Sequence, residues 1–204
     1  MTKQNLSNSN VSAGRKSLVD FTRKKVEELF ADFHVPAHGL DHSERVIKWI
    51  LVIAEKEGVN LFLAELAGLL HDIGRVPEHK HNPENLRHQE LSYLLLKEWF
   101  AEYREFDVLS SEEKEELLYA IRYHWEDEKC DYPLAIILRD ADKIDLLGEI
   151  GVKRASEFHQ DIKKRKNNIQ KNLSLGALLK TEMAREIVRE QKLLEPLENF
   201  LKNN

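Results

Sequence analysis

Cysteine occurs once in the 204 residues, at Cys130. That excludes an internal disulfide framework and any cysteine-based zinc site, and it suits a reducing compartment. Proline and glycine are scarce, at 5 and 8 residues, so few positions interrupt a helix. No hydrophobic run is long enough to cross a membrane: the longest apolar-looking segment, Leu61 to Leu70, is broken by Glu65 and falls short of a bilayer core of roughly 30 Å. The first fourteen residues, MTKQNLSNSNVSAG, lack the apolar stretch of a secretory signal. A cytoplasmic protein without membrane partners is expected. An excess of positive charge is also missing. The net charge is −5, which removes the broad basic footprint of a general nucleic-acid binder. The run Lys163-Lys164-Arg165-Lys166 reads as a solvated loop, with polyanion binding as its alternative.

What is present is Leu, Glu and Lys in helical periods. Hydrophobic residues make up 42% and charged residues 33%, ordinary values for a globular domain. The polar composition of residues 1–14 predicts a disordered tail, followed by a single all-α domain over 15–204 that includes a C-terminal helical extension. Apolar spacing predicts helices over Arg15 to Phe33, Asp41 to Lys56 and Leu61 to Asp72. Val76 to Pro83 reads as a polar loop. Further helices are expected from Asn82-Pro83 to Phe100, from the cap at Ser110-Ser111-Glu112-Glu113 to Trp125, from Pro133 to Leu147, and from Ser174 to Phe200. The residues after Gly151 are charged and weakly periodic. No β alternation and no internal repeat are found.

Chemistry gathers at the end of the third helix, in Leu69-Leu70-His71-Asp72-Ile73-Gly74. A carboxylate placed there among apolar residues needs a partner, because an unpaired buried charge costs several kcal/mol. A metal ion would supply one. Adjacent helical residues diverge by about 100°, so further ligands must come from other helices. His42 shares the inward stripe of Val46 and Ile50, and Asp142 that of Ala135 and Leu138. His88 lies on a face with Leu91 and Leu95, and His124 on one with Leu117 and Ile121. Each of these two fits a core histidine as well as a functional one. His34, His79, His81 and His159 read as surface residues, and His38, four residues before His42, as a surface residue or a neighbour of the site mouth.

Four elements in order, His42-Ser-Glu-Arg45-Val46, Leu-Leu-His71-Asp72-Ile-Gly-Arg75, Ile121-Arg-Tyr-His124 and Leu138-Arg-Asp140-Ala-Asp142-Lys143-Ile-Asp145, resemble the HD-domain metal-dependent phosphohydrolase superfamily. The run Asp145-Leu-Leu-Gly148-Glu-Ile-Gly151-Val-Lys-Arg154 looks like its small single-domain bacterial YedJ-like branch. The resemblance implies an all-α HD-domain helical bundle with a divalent metal held by His42, His71, Asp72 and Asp142. In a related group two histidines, placed in order as His88 and His124 are here, hold a second ion; a single ion is the expectation for this branch.

The implied reaction is hydrolysis of a small-molecule phosphate ester, of a nucleotide by preference, through attack of metal-bound water. Asp72, Arg75 and Lys143 are the catalytic candidates. Arg45, Arg75, His88, His124 and Asp145 are the substrate-binding candidates. Manganese, iron, cobalt, nickel, zinc and magnesium all suit such ligands. The competing reading is a regulatory or ligand-binding HD module without turnover. Oligomeric state is not encoded in these patterns. The Glu-Asp pair of alarmone hydrolases is absent, Arg75 and Val76 standing there, and so is the Gly-Tyr-Pro signature of cyclic-dinucleotide enzymes.

Overall fold

A computed structural model describes the backbone of residues 3–31, 33–35 and 38–204, with side chains from residue 12 onward in those ranges. Among the described residues the secondary structure is helical, without strands. The order is α1 (Lys3–Ala31), α2 (Leu40–Glu57), α3 (Leu61–Leu70), α4 (Arg75–Lys80), α5 (His88–Glu102), α6 (Ser111–Arg122), α7 (Pro133–Ile144), α8 (Gly148–Phe158), α9 (Ile162–Leu175), α10 (Glu182–Glu190) and α11 (Glu195–Asn203). None of the helices is long and apolar enough to cross a membrane.

The centre of the bundle is α2, packed against α3 and α7. Its buried stripe of His42, Val46, Ile50 and Ile53 repeats at three- and four-residue spacing, and burial of such a stripe stabilises a helix far more than its propensity does. Gly58 ends α2 in the left-handed conformation at φ 69°, which glycine adopts without steric cost. In α3 the residues from Leu63 to Leu70 are buried except Glu65, as expected for a helix enclosed on most sides. One core cluster runs from Leu18 and Val26 of α1 to Leu197 of α11.

Several boundaries differ from the sequence expectation. Helix α1 begins at Lys3, inside the expected tail; the polar residues there show no apolar stripe, so nothing in their pattern marks a helix. The expected loop from Val76 is the short helix α4. Pro77 lies in its first turn, where a missing N–H costs no hydrogen bond, while Glu78 N–H donates to Gly74 O at 3.0 Å.

Helix α5 starts at His88 rather than at Pro83. The Asn82 side chain bonds both the N–H and the carbonyl of Leu86, at 2.9 and 2.8 Å, and Asn85 has φ 52°, so the segment is a closed turn. The charged stretch after Gly151 continues α8 and forms α9. The expected long C-terminal helix is broken into the end of α9, α10 and α11. Buried Asp140 of α7 accepts bonds from the N–H groups of Lys180 and Thr181 and from Thr181 Oγ1. This pins the start of α10 and diverts the chain there.

Candidate metal centre

His42, His71, Asp72 and Asp142 come together in the core from α2, the end of α3, the turn after it, and α7. His42 Nε2 and His71 Nε2 face each other at 3.1 Å. Asp142 Oδ1 lies 3.2 Å from the first and 4.0 Å from the second. Asp72 Oδ2 lies 3.7 and 3.8 Å from the same two nitrogens.

The second nitrogen of each ring fixes its tautomer. His71 Nδ1 is 2.9 Å from Gly68 O, a carbonyl that only accepts, so that nitrogen carries the proton. His42 Nδ1 is 2.7 Å from Asp145 Oδ2, a carboxylate oxygen that only accepts, and donates to it; Arg154 NH1, 3.1 Å from the same nitrogen, makes its shorter bond to that oxygen at 2.6 Å. Two lone pairs therefore point at each other, flanked by two carboxylates. That arrangement repels itself unless a proton or a cation sits between them. In the absence of a cation, His42 is pushed above the usual imidazole range: burial acts downward, but its bonds to Asp142 and Asp145 outweigh it. Burial holds His71 below that range.

The carboxylates are arranged to stay charged. Burial acts to raise Asp142, but its bond to His42 and the nearby imidazoles hold it below the ordinary carboxyl range. Asp72 is held well below that range against the same burial by Arg75, His71 and His38. The donor set of imidazole lone pairs and charged carboxylates fits a divalent cation.

A second group adjoins the first through Asp72. Its other oxygen, Oδ1, lies 3.4 Å from His88 Nε2 and 3.9 Å from His124 Nε2. His124 Nδ1 donates to Ile121 O at 2.6 Å, which leaves Nε2 with a lone pair. Neither His88 Nε2 nor His124 Nε2 has a hydrogen-bond partner among the described residues, and both atoms are buried. Burial pushes His88 to about 2 and His124 to about 4, so both rings are neutral at pH 7. Both are orphaned buried nitrogens, and that of His124, with its lone pair free, is an acceptor of the kind a cation satisfies.

Local packing sets this second group. A Cβ on Gly74 would stand 2.2 Å from His88 O and 2.4 Å from Ser92 N, so only glycine lets the turn after Asp72 touch the head of α5. Ser92 Oγ accepts from Gly74 N–H and donates to His71 O, both at 2.8 Å. The buried stripe of α5 is His88, Ser92, Leu96 and Trp99, one residue away from the Leu91 and Leu95 face expected from sequence.

The remaining candidates separate into distinct places. Arg75 sits beside the cluster, its Nε 3.3 Å from Asp72 Oδ1 and its NH1 3.2 Å from Glu78 Oε2. Arg45 chelates Asp145 through Nε at 2.6 Å and NH2 at 3.0 Å, and Asp145 in turn holds His42. Lys143 is buried and paired with Asp127, so its charge faces the loop that carries His124. Arg139 braces the same loop, donating to Lys129 O at 2.7 Å and Tyr123 O at 3.3 Å.

Two residues absent from the sequence candidates join the site. Arg154 NH1 donates to Asp145 Oδ2 at 2.6 Å. Glu78 accepts the His88 backbone N–H at 3.0 Å and lies 3.8 Å from His88 Nδ1. The place of Arg154 at the end of the run from Asp145 that carries the YedJ-like resemblance was a signal for the first; the second, in a segment read as loop, had none. His38 reaches the cluster, 2.9 Å from Asp72 Oδ2.

Three solved structures share this architecture. The Bacillus subtilis protein YpgQ, crystallised with ADP, is 21% identical, with 93% of this chain and 94% of that one aligned at a TM-score of 0.67. An HD-superfamily hydrolase from Bacillus thuringiensis is 22% identical over 92% and 95% of the chains, TM-score 0.69. A predicted HD superfamily hydrolase from an uncultured Thermotogales bacterium is 24% identical over 90% and 91%, TM-score 0.66. At these identities they establish the fold. The HD domain family itself matches residues 39–147, the span from the head of α2 to just past α7 that supplies each of the clustered histidines and aspartates except His38, so the chain belongs to the HD domain family.

Proposed function

We propose that the protein is a metal-dependent phosphohydrolase acting on a small phosphorylated molecule, with a nucleotide as the preferred class. The observation that carries the reading is the pair of opposed imidazole lone pairs of His42 and His71 between Asp72 and Asp142. His42, His71, Asp72 and Asp142 would hold one divalent ion. Asp72, His88 and His124 would hold a second, Asp72 being common to both sets. This reading favours two ions over the single one expected for the YedJ-like branch. When bound, divalent ions supply Lewis acidity towards a phosphoryl oxygen and make water acidic enough to ionise near neutral pH.

The chain's own residues prepare that chemistry. Asp145 and the Gly68 carbonyl keep the His42 and His71 lone pairs pointed inward. Asp72 and Asp142 stay ionised without competing for protons at neutral pH. Arg75, partly exposed at the edge of the cluster, is the cation placed to neutralise charge building on a phosphoryl group. Lys143 acts through Asp127 to fix the His124 loop rather than by touching substrate. The nucleotide preference draws on the fold shared with the ADP-bound protein.

Metal analysis of protein purified without chelator, followed by phosphate release from nucleotides and sugar phosphates across added divalent metals, tests the reading. Metal-dependent turnover that disappears in Asp72→Asn is the expected outcome. A chain that binds no divalent ion, or one whose turnover is untouched by that substitution, would sink it.

A further inference from the structure

The Nδ1 side of His42 faces away from the other candidate ligands and towards a pair of guanidiniums. Arg45 and Arg154 share one carboxylate, Asp145. The two guanidiniums therefore carry one positive charge more than Asp145 balances. Arg154 is 5% exposed, and among the described residues no second carboxylate pairs with either arginine. An unbalanced charge at that depth is costly, and an anion from outside removes the cost.

The space for one adjoins them. A cavity of about 810 Å3 lies between the end of α1, the head of α2 and α8, a volume in the range of small-molecule sites. Arg45, Arg154 and Lys153 line it, with Phe30, Leu40 and Ile150 as its apolar wall. The carboxylates on that wall, Glu27, Asp41 and Glu157, are exposed and so lie at its rim.

Unused donors are available as well. Arg45 uses only Nε and NH2 on Asp145; Arg154 spends NH1 on Asp145, its NH2 lies 3.3 Å from His38 Nδ1, and its Nε is buried without a partner among the described residues. Helix α2, 18 residues long, begins at this cavity, and its N-cap Gly39 offers no side-chain cap, so the positive end of the helix lies at the cavity wall.

We propose that this cavity is a second ligand site, adjoining the candidate metal centre across His42, which lines it, and that it takes a small phosphate monoester: the phosphate on Arg45, Arg154 and the head of α2, the apolar body against Phe30, Leu40 and Ile150. Its effect on turnover rests on the metal-centre reading and passes through Asp145, because a phosphate that engages Arg45 and Arg154 competes with Asp145, which orients His42. Binding itself does not depend on that reading.

The experiment is calorimetric titration of adenosine monophosphate into the full chain after chelator treatment. Without ions the metal cluster presents Asp72 and Asp142 and repels phosphate, so binding to metal-free protein reports the cavity. Saturable one-to-one binding is expected, weakened about tenfold or more in Lys153→Glu, the loss of roughly one charged contact, and kept within about threefold in His124→Ala, whose ring lies against His71, His88 and Asp72 rather than against the cavity. Lys153 is exposed, so its substitution leaves the fold intact. Absence of saturable binding, insensitivity to Lys153→Glu, or loss in His124→Ala would each overturn the proposal. Absence of metal-dependent turnover in the loaded protein would instead overturn the phosphohydrolase reading.

Discussion

Removing the Asp145 side chain separates two effects that this carboxylate combines. In Asp145→Ala, Arg154 at 5% exposure loses its carboxylate partner, and breaking a buried pair from one side costs about 3 to 5 kcal/mol. Arg45 is more exposed, at 28% of its side chain, and water compensates it, so the lower end of that range applies. For a chain of this length about 3 kcal/mol corresponds to a fall in Tm of roughly 6 to 12 °C. At the same time His42 Nδ1 loses the acceptor that fixes its tautomer, which should weaken metal binding about 10- to 100-fold.

The double variant Asp145→Ala/Arg154→Leu distinguishes the two effects. With the stranded cation gone, most of the stability should return, whereas metal affinity should stay low because the His42 nitrogen still lacks its partner. Thermal unfolding of the metal-free protein gives the first quantity, and competition with a calibrated chelator gives the second. If affinity recovers together with Tm in the double variant, the assignment of Asp145 as the residue that orients His42 is wrong.

Wild-type protein should hold close to two equivalents of divalent metal, and His124→Ala close to one, by elemental analysis after desalting; one equivalent in both would return His124 to a core role. Gly74→Ala should cost roughly 3 kcal/mol or more, at the upper end for overpacking, because its Cβ meets backbone rather than a movable side chain; a denaturant midpoint within error of wild type would show that the turn is not pinned as described. Arg75→Ala should lower kcat about 10- to 1000-fold with metal content unchanged, and unaltered kinetics would make it a surface residue. In metal-free protein, His124 and His88 resist protonation that the unfolded chain accepts at an ordinary value of 6.5. Stability should therefore fall as pH drops from about 6.5 through about 4, measured by denaturant melts in chelator, and a flat profile across that window would contradict the buried neutral rings.

The ligand candidates were legible where helical periodicity was strong. His42 and Asp142 continue apolar stripes of α2 and α7, so their inward direction follows from spacing alone. The stripe of α5 was misplaced by one residue because Ser92, a polar residue, occupies it, and its burial depends on bonds to His71 and Gly74 that no local pattern encodes. Asp145 and Arg45 were read as substrate-binding candidates, but their mutual partnership is a contact between α2 and the end of α7, a hundred residues apart in sequence. The segment holding Pro77 was read as a loop, yet a proline ends a helix or sits in its first turn with equal ease.

Helix α7 carries Arg139 to the loop below His124, Asp140 to the head of α10, Asp142 to the candidate ligands and Asp145 to α2 and α8. Seven successive positions thus point at four different parts of the molecule, and the only thing keeping these directions apart is the angular step of the helix. A single residue inserted between Leu138 and Asp140 would turn every later side chain by about 100° and exchange these destinations, while each residue kept its identity. The helix therefore behaves as an indexed shaft, tolerant of few length changes. The Gln160 region between α8 and α9, where the chain is exposed, is the place where the same insertion should pass with little effect on the rest of the protein.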